Sequence, residues 1–444
     1  MPAVTTDVGA RHARTAELTT VTGGGHGHGH GHGGPAPPAP LRTRVVLALL
    51  VLPALVATAL GLWQLWPSAA DVPDRVPVVV EGSELVSATV VGPLEGEAAG
   101  DASWPTTEDS TTGNVAIRLP DGSTSGMQAE PRFALEPGDP VVALYIGDFA
   151  ETPVPYVFMD YEREVPFAIL AAAYVLVVLL VARWRGLAAL AGLAVAFGVF
   201  VTFTFPALLS GENAMGVALV TSSAVMLAVL YLAHGLTART TVALLGTLAG
   251  LALTAGIGAW ATGAAQITGA SEEVAQNLPV IAPGVDLRGI ALCGLVLAGM
   301  GVLNDVTITQ ASAVWELRAL APTAPRRALF ARAMRIGRDH IASTVYTIAF
   351  AYVGAALPLL LTVWLLDQTP LMTMTSGEIA EEIVRTLVGS IGLVLAIPIT
   401  TAIAAVTVPS GRALATGAEV GHDGSHATPE DAVPSRPDPG AEQP

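Results

Sequence analysis

Lysine is absent from this chain, and charged residues of every kind are scarce. All 21 basic residues are arginines. Charged residues fill 13% of the 444 positions, about half the share of a soluble domain. We attribute the missing lysines to codon bias. The single cysteine, Cys293, excludes a disulfide framework and a cysteine-ligated metal cluster. The formal net charge of −16 argues against nucleic acid as a partner.

Long apolar runs fill much of the chain. Hydrophobic residues make up 52% of the sequence, and the mean hydropathy is +0.58. Because a spanning helix needs about 20 apolar residues, the sequence predicts a polytopic α-helical membrane protein with about eight transmembrane helices. The predicted spans are residues 45–66, 166–182, 187–209, 214–234, 240–262, 288–304, 341–366 and 384–408. The lipid bilayer is therefore an expected partner, and no cofactor is expected.

The charges between the spans predict the topology. Connections that contain arginines, such as the one with Arg183 and Arg185, alternate with connections whose charged residues are acidic, such as the one with Glu212. Since cytoplasmic loops carry the basic residues, we expect both termini in the cytoplasm of a bacterial cell and the chain in its plasma membrane. The first apolar run is longer than the roughly 7–15 residues of a signal peptide core, so an uncleaved anchor is expected.

The two ends of the chain read as disordered tails. Residues 1–40 and 409–444 are rich in Gly, Pro and small polar residues, and they cannot build an apolar core. The first tail alternates histidine with glycine. Imidazole suits Ni, Cu and Zn ions, so these histidines are weak metal-ligand candidates and the sequence predicts no firm metal site. They are His26, His28, His30 and His32.

Between the first and second spans, residues 71–165 predict a small β-rich domain of barrel or sandwich type outside the membrane. Its strand-like runs are 76–80, 85–91, 114–119 and 140–146, separated by Gly, Pro and Asp. Asp121-Gly122 is a hairpin turn signal. No nucleophile–base pair or metal-ligand spacing stands out, so a binding or docking module is expected.

Polar residues enter one apolar segment, residues 299–318, with helical spacing. Asp305, Thr309, Ser312 and Glu316 fall in a sector roughly 60° wide at 100° per residue. Continued backward, the same line meets small residues that would let another helix approach closely. These small residues are Gly294, Ala298 and Gly301. A carboxylate in a membrane helix marks a functional group by default.

Asp305 is therefore the first candidate for a transport pathway, together with its neighbour Asn304. Arg335, Asp339 and His340, at the mouth of the next span, are candidates for a cytoplasmic gate or for ion pairs. A second interpretation stays open, in which the chain from Asn304 onward is a cytoplasmic amphipathic helix with a solvated face.

These residues also carry a family resemblance. The order Gly-x-Gly-x-x-Asn-Asp-Val-Thr-Ile-Thr-Gln-Ala-Ser-Ala-Val-Trp-Glu-Leu begins at Gly299. A basic loop with Arg335-Ile-Gly-Arg-Asp-His340-Ile-Ala-Ser-Thr344 follows it. The chain resembles the YibE/F-like family of bacterial multi-pass membrane proteins over about residues 76–408. The resemblance implies a plasma-membrane protein described as a permease, with no established substrate.

Two functions fit the sequence. The first is a transporter of unknown substrate, coupled to an ion gradient through Asp305, since no Walker A loop is present for ATP. The second is a non-transporting scaffold or sensor whose outer β-rich domain binds an envelope ligand or protein partner. A homo-oligomer is compatible with both. No enzyme is expected, because paired aspartates, His-Glu-x-x-His and Ser with His or Lys at membrane depth are not found.

Overall fold

The computed structural model describes residues 40–77, 79–94, 113–146, 154–271, 273–366 and 369–409. The tails predicted at 1–40 and 409–444 lie outside these residues except for their inner ends. The four candidate histidines of the first tail also lie outside them.

The described residues are mostly helical. Apolar segments form long helices, and Gly, Pro and polar residues separate them. In chain order the helices are α1 (Leu41–Gln64), α2 (Glu164–Val199), α3 (Phe205–Leu209), α4 (Ala214–His234), α5 (Ala238–Ala264), α6 (Glu273–Ile281), α7 (Leu287–Leu320), α8 (Arg326–Ala355), α9 (Leu357–Leu365), α10 (Pro370–Met374) and α11 (Gly377–Thr407). A π-helical turn, Phe200–Thr204, joins α2 to α3.

Six helical segments of the described chain are long and apolar enough to cross a membrane, or seven if the bent pair α8 and α9 forms one span. In this count α2 and α3 form one segment of 46 residues. The axes of α8 and α9 differ by 66°, and Pro358 stands in the first turn of α9. The prediction of a polytopic helical membrane protein is confirmed. The span predicted at 341–366 is broken at Ala356, and α8 begins well before it, at Arg326.

The backbone turns sharply inside α2. Arg183 has φ 53° and ψ −129°, outside the helical region. A Cβ placed on Gly186 would lie 2.6 Å from the carbonyl oxygen of Val178. Residues eight apart in a straight helix are separated by about 12 Å along the axis. The chain therefore folds back on itself at Arg183, between the spans predicted at 166–182 and 187–209.

A closed β-barrel lies between α1 and α2 in the chain. Its strands pair in the order β1-β2-β3-β5-β4. Alternating side chains of these strands fill the interior, where Val115, Ile117, Met127, Val141 and Ala143 are fully buried. The strands are β1 (Glu84–Pro93), β2 (Gly113–Arg118), β3 (Thr124–Ala129), β4 (Pro140–Tyr145) and β5 (Tyr156–Tyr161).

The predicted strands at 85–91, 114–119 and 140–146 coincide with β1, β2 and β4. The predicted turn at Asp121-Gly122 joins β2 to β3. Gly122 has a φ of 86°, a conformation that glycine adopts without a Cβ clash. The Asp121 carboxylate accepts hydrogen bonds from the Ser123 hydroxyl at 2.6 Å and from the Ser123 backbone N–H at 2.8 Å. These two bonds lower the pKa of Asp121.

The strand predicted at 76–80 is wrong, since the described residues of that run are irregular. Pro77 cannot donate a ladder hydrogen bond, which disfavours a strand there. Two strands were not predicted. β3 contains Gly126 and polar residues, and β5 leads into the charged residues that precede the next span. β5 ends at Tyr161, so the barrel reaches almost to the start of α2 at Glu164.

The helical bundle is centred on α5, α7 and α11. Large side chains from these helices, such as Leu251, Leu303 and Leu393, are 1% exposed. The two ends of the bundle differ in charge. We call the end with the connection between α7 and α8 (residues 321–325) the arginine end, and the end where α11 begins (Gly377) the acidic end.

Candidate functional site

Small residues four apart bring α5 and α11 into close contact. Three glycines of α5 and one of α11 each face a residue of the other helix, and a Cβ added to Gly250 would lie 3.0 Å from the Cβ of Ala396. Close backbone approach of this kind stabilises membrane helix pairs. We call these contacts the small-residue zipper. The facing pairs are Gly246 with Thr400, Gly250 with Ala396, Thr254 with Gly392, and Gly258 with Val388.

A buried polar layer ties α5, α7, α8 and α11 together near the arginine end. The hydroxyls of Thr247 and Thr307 lie 2.6 Å apart. Gln310 donates through Nε2 to the Thr401 hydroxyl at 2.7 Å and to the Ala333 carbonyl at 3.0 Å. Thr247, Thr307, Gln310 and Thr401 are all at most 3% exposed.

This layer is neutral and hydrogen-bonded. Thr247 and Thr401 also donate to carbonyl oxygens of their own helices, those of Ala243 and Ile397. A polar group satisfied in this way is stable at membrane depth. The layer therefore fixes the relative positions of four helices, and none of its four side chains titrates.

The predicted polar face lies on the opposite side of α7. Helix α7 is continuous through the segment, so the predicted helical alignment of these residues is present. Asp305, Thr309 and Glu316 are exposed, and Ser312 is partly buried, with its hydroxyl donating to the Ile308 carbonyl at 2.7 Å. In the described chain, no hydrogen bond or ion pair reaches the Asp305 carboxylate.

Asn304 differs from its neighbour Asp305. It is partly buried, and its Oδ1 is shielded from solvent without a hydrogen-bond partner among the described residues. One residue corresponds to 100° of helix, so Asn304 sits beside the exposed face rather than on it.

The predicted close-packing line is open in the described chain. A Cβ added to Gly294 or Gly301 would meet no atom within 4 Å, and Ala298 is exposed. The close approach of another helix to this line stays a prediction. Close packing occurs instead between α5 and α11.

The residues predicted at the mouth of the next span do not form ion pairs with each other. Arg335 and Asp339 are exposed, and neither has an oppositely charged partner within 4.0 Å in the described part of the chain. His340 is partly buried, and its Nε2 has no partner there. A gating role for these residues stays a prediction.

At the acidic end, a cavity of about 460 Å³ opens where α8 breaks into α9. Arg385 pairs with Glu381 at 3.4 Å and also with Glu382. The second carboxylate oxygen of Glu381 is buried without a partner among the described residues. The cavity is lined by Ser271, Ala355, Ala356, Leu359, Glu378, Glu381, Glu382 and Arg385.

Sequence reasoning missed both the cavity and the polar layer. Two features of the sequence could have indicated the cavity. Glu381 and Glu382 are spaced from Arg385 as residues of one helix face are, and Pro358 lies inside a predicted span. The polar layer had one signal. Leu303, Thr307 and Gln310 share a face of α7 at spacings of four and three.

The described residues contain no group of three or more His, Cys, Asp and Glu side chains placed to hold a metal ion. Cys293 is buried in the bundle core.

Comparison with known proteins gives one match. The family model for the YibE/F-like protein matches residues 170–410, which is more than half of the 444-residue chain. A search of curated proteins and a search of solved structures each found no match. The matched range contains the bundle from early α2 to the end of α11, and it begins after the β-barrel that the resemblance was expected to include. The chain belongs to the YibE/F-like family.

Proposed function

We propose that this protein is a membrane transporter of small cations. The observation that carries the proposal is the cavity of about 460 Å³ at the break between α8 and α9. Non-helical backbone at membrane depth is tolerated where it lines a cavity or is buried in protein. Broken helices also surround the binding sites of many transporters.

The charges around the cavity favour a cation. Glu378, Glu381 and Glu382 line it with one arginine. Arg385 is engaged by Glu381 and Glu382. Glu378 and the unpartnered oxygen of Glu381 therefore remain as acceptors for a positively charged or hydrated guest.

Coupling to an ion gradient is assigned to Asp305. The buried polar layer contains no titratable side chain, so its four residues cannot take up a proton at ordinary pH. Asp305 lies about 26 Å along α7 from Arg288 at 1.5 Å per residue, close to the arginine end. A carboxylate there is costly against lipid and much less so in a water-filled cavity.

The proposed transporter crosses the membrane eight times. The 46 residues from Glu164 to Leu209 would extend about 69 Å as one straight helix, more than twice the roughly 30 Å of a bilayer core. The turn at Arg183 divides them into two crossings. With the arginine end inside, both termini lie in the cytoplasm and the barrel lies outside the plasma membrane. Reporter fusions at Ser110 and Thr268 should then read outside, and fusions at Gly186 and Pro322 inside. An inside result at Thr268 would invert the topology.

A second candidate function is a scaffold or sensor. The observation in its favour is the barrel, which has a closed sheet and its own buried core. Such a domain could bind an envelope ligand or partner without any transport.

A flux assay separates the two functions. Purified full-length protein is placed in proteoliposomes with a pH gradient, and uptake of alkali, alkaline-earth and transition-metal cations and of small ammonium ions is measured. Glu381→Gln should raise KM at least tenfold for the transported cation. Asp305→Asn should abolish accumulation driven by the gradient but leave cation exchange at zero gradient.

Glu164→Gln is the matched control, because Glu164 is an exposed carboxylate at the start of α2, outside the candidate pathway. If Asp305→Asn only lowers protein abundance, the carboxylate is structural. If no cation is transported and deletion of residues 71–163 abolishes capture of an envelope partner, the scaffold function replaces this proposal.

A further inference from the structure

The first half of α8 has two chemically different faces. Helical projection places Arg327, Arg332 and Arg338 within about 80° of Arg335, and all four arginines are exposed. The opposite face, with Leu329, Ala333 and Gly337, is buried against α7 and α11. We call the four exposed residues the arginine stripe. They are Arg327, Arg332, Arg335 and Arg338.

The stripe is not neutralised within the described chain. None of its four guanidinium groups lies within 4.0 Å of a carboxylate there. Asp339 is exposed on the same side of α8 but is not paired with any of them. A row of unpaired positive charges on one helix face attracts an anionic surface.

The contacts of α8 place the stripe at the boundary of the membrane. Ala333, between the arginines in sequence, accepts a hydrogen bond from Gln310, which also donates to Thr401 of α11. Thr401 lies about 9 Å before Thr407, the last residue of α11, at 1.5 Å per residue. The stripe therefore runs alongside the last turns of a spanning helix, at the depth where lipid phosphates lie.

We propose that the arginine stripe binds the phosphate groups of anionic phospholipids in the leaflet at the arginine end. The planar guanidinium fork donates two parallel hydrogen bonds to a phosphate. Each arginine near an anionic leaflet raises affinity about fivefold. The site is independent of the proposed transport, and its failure would leave that proposal standing.

The test measures lipid binding to the full-length protein in detergent micelles. Phosphatidylglycerol and phosphatidylcholine are titrated separately, and bound lipid is counted by native mass spectrometry. The wild type should bind phosphatidylglycerol more tightly. The triple variant R332Q/R335Q/R338Q should lose roughly a hundredfold in that affinity. The variant R332K/R335K/R338K, which keeps the charge but not the fork, should lose less than tenfold.

The matched control removes the same number of positive charges from the barrel and its junction with α2, as R118Q/R132Q/R163Q. Its phosphatidylglycerol affinity should stay within twofold of wild type. The proposal is overturned if the two glutamine triples lose equally, or if phosphatidylcholine binds as tightly as phosphatidylglycerol. Displacement of the lipid by millimolar inorganic phosphate would show that the stripe takes free phosphate and would also overturn it. Circular dichroism confirms that each variant is folded, and the lysine triple provides the test if the glutamine triple is not.

Discussion

Gly392 of α11 provides the sharpest test of the small-residue zipper. A Cβ added there would collide with the Thr254 hydroxyl and lie 3.1 Å from the Thr254 Cβ. Thr254 cannot turn away easily, because it is β-branched and its hydroxyl donates to the Gly250 carbonyl at 2.9 Å. Gly392→Ala must therefore push α5 and α11 apart or distort Thr254.

The cost follows from comparison with a glycine on the same helix. A Cβ on Gly389 would meet no atom within 4 Å, so Gly389→Ala changes only helix propensity, a gain of up to about 1 kcal/mol. Gly392→Ala has the same gain and adds the overpacking penalty of about 1–3 kcal/mol. The difference in unfolding free energy between the two variants should therefore be about 1–3 kcal/mol, with Gly392→Ala the less stable.

The assay is unfolding in mixed micelles by added sodium dodecyl sulfate, followed by circular dichroism. Thr254→Ala should partly rescue Gly392→Ala, with a coupling energy of about 1 kcal/mol in the double-mutant cycle. Equal stability of the Gly389 and Gly392 variants would refute the zipper as the contact that joins α5 and α11.

Three further predictions concern other parts of the fold. Gln310→Leu removes two interhelical hydrogen bonds, which average about 0.6 kcal/mol each in membrane proteins, so it should lower the unfolding free energy by about 1 kcal/mol in the same assay, and Thr309→Val should not. Residues 71–163 expressed alone should fold into a β-rich domain, and a random-coil circular dichroism spectrum would contradict this. Burial raises the pKa of Tyr161. The neutral phenol is therefore favoured in the folded domain, and its contribution to stability is complete below the usual pKa of about 10 and is lost as pH rises through the folded value. The absorbance of tyrosinate during an alkaline titration of the folded domain measures the pKa of Tyr161.

The sequence was sufficient for the positions of most helices, because membrane helices require apolar length and little else. The same signal failed for the ends of the helices. Helix α8 begins at Arg326, yet its first half is too polar to read as part of a span. The turn at Arg183 was readable as a break, because arginines interrupt the apolar run there.

The candidate site was only half readable from the sequence. The charge of Asp305 indicated a polar helix face, and the continuous helix α7 does align the residues of that face. Gln310 and Thr307 occur in the same motif, but nothing in a single helix says that they meet Thr401 and Thr247. Those contacts join residues 91 and 60 positions apart in the chain, and they depend on how four helices pack.

The small-residue zipper could not be predicted from the sequence for a different reason. Most spans of this chain contain glycines. Spacing alone therefore could not separate Gly250, where an added Cβ would lie 3.0 Å from the Ala396 Cβ, from Gly301, where an added Cβ would meet no atom within 4 Å. The sequence favoured the line through Gly294 and Gly301 because it leads to a carboxylate. In the structure, the closely packed line of small residues is the one on α5, which contacts α11.

The zipper and the polar layer limit which part of the bundle can move in the proposed transport cycle. They hold α5, α7, α11 and the first half of α8 together, so we infer that the second half of α8, with α9, is the mobile element. The exposure of Ser343, Tyr346, Phe350 and Val353 in this half supports the inference, as does the break at Ala356, which borders the cavity at the acidic end. Hydrogen exchange in proteoliposomes should accordingly be faster for residues 341–365 than for residues 388–404, and equal protection of the two segments would show that the bundle moves in another way.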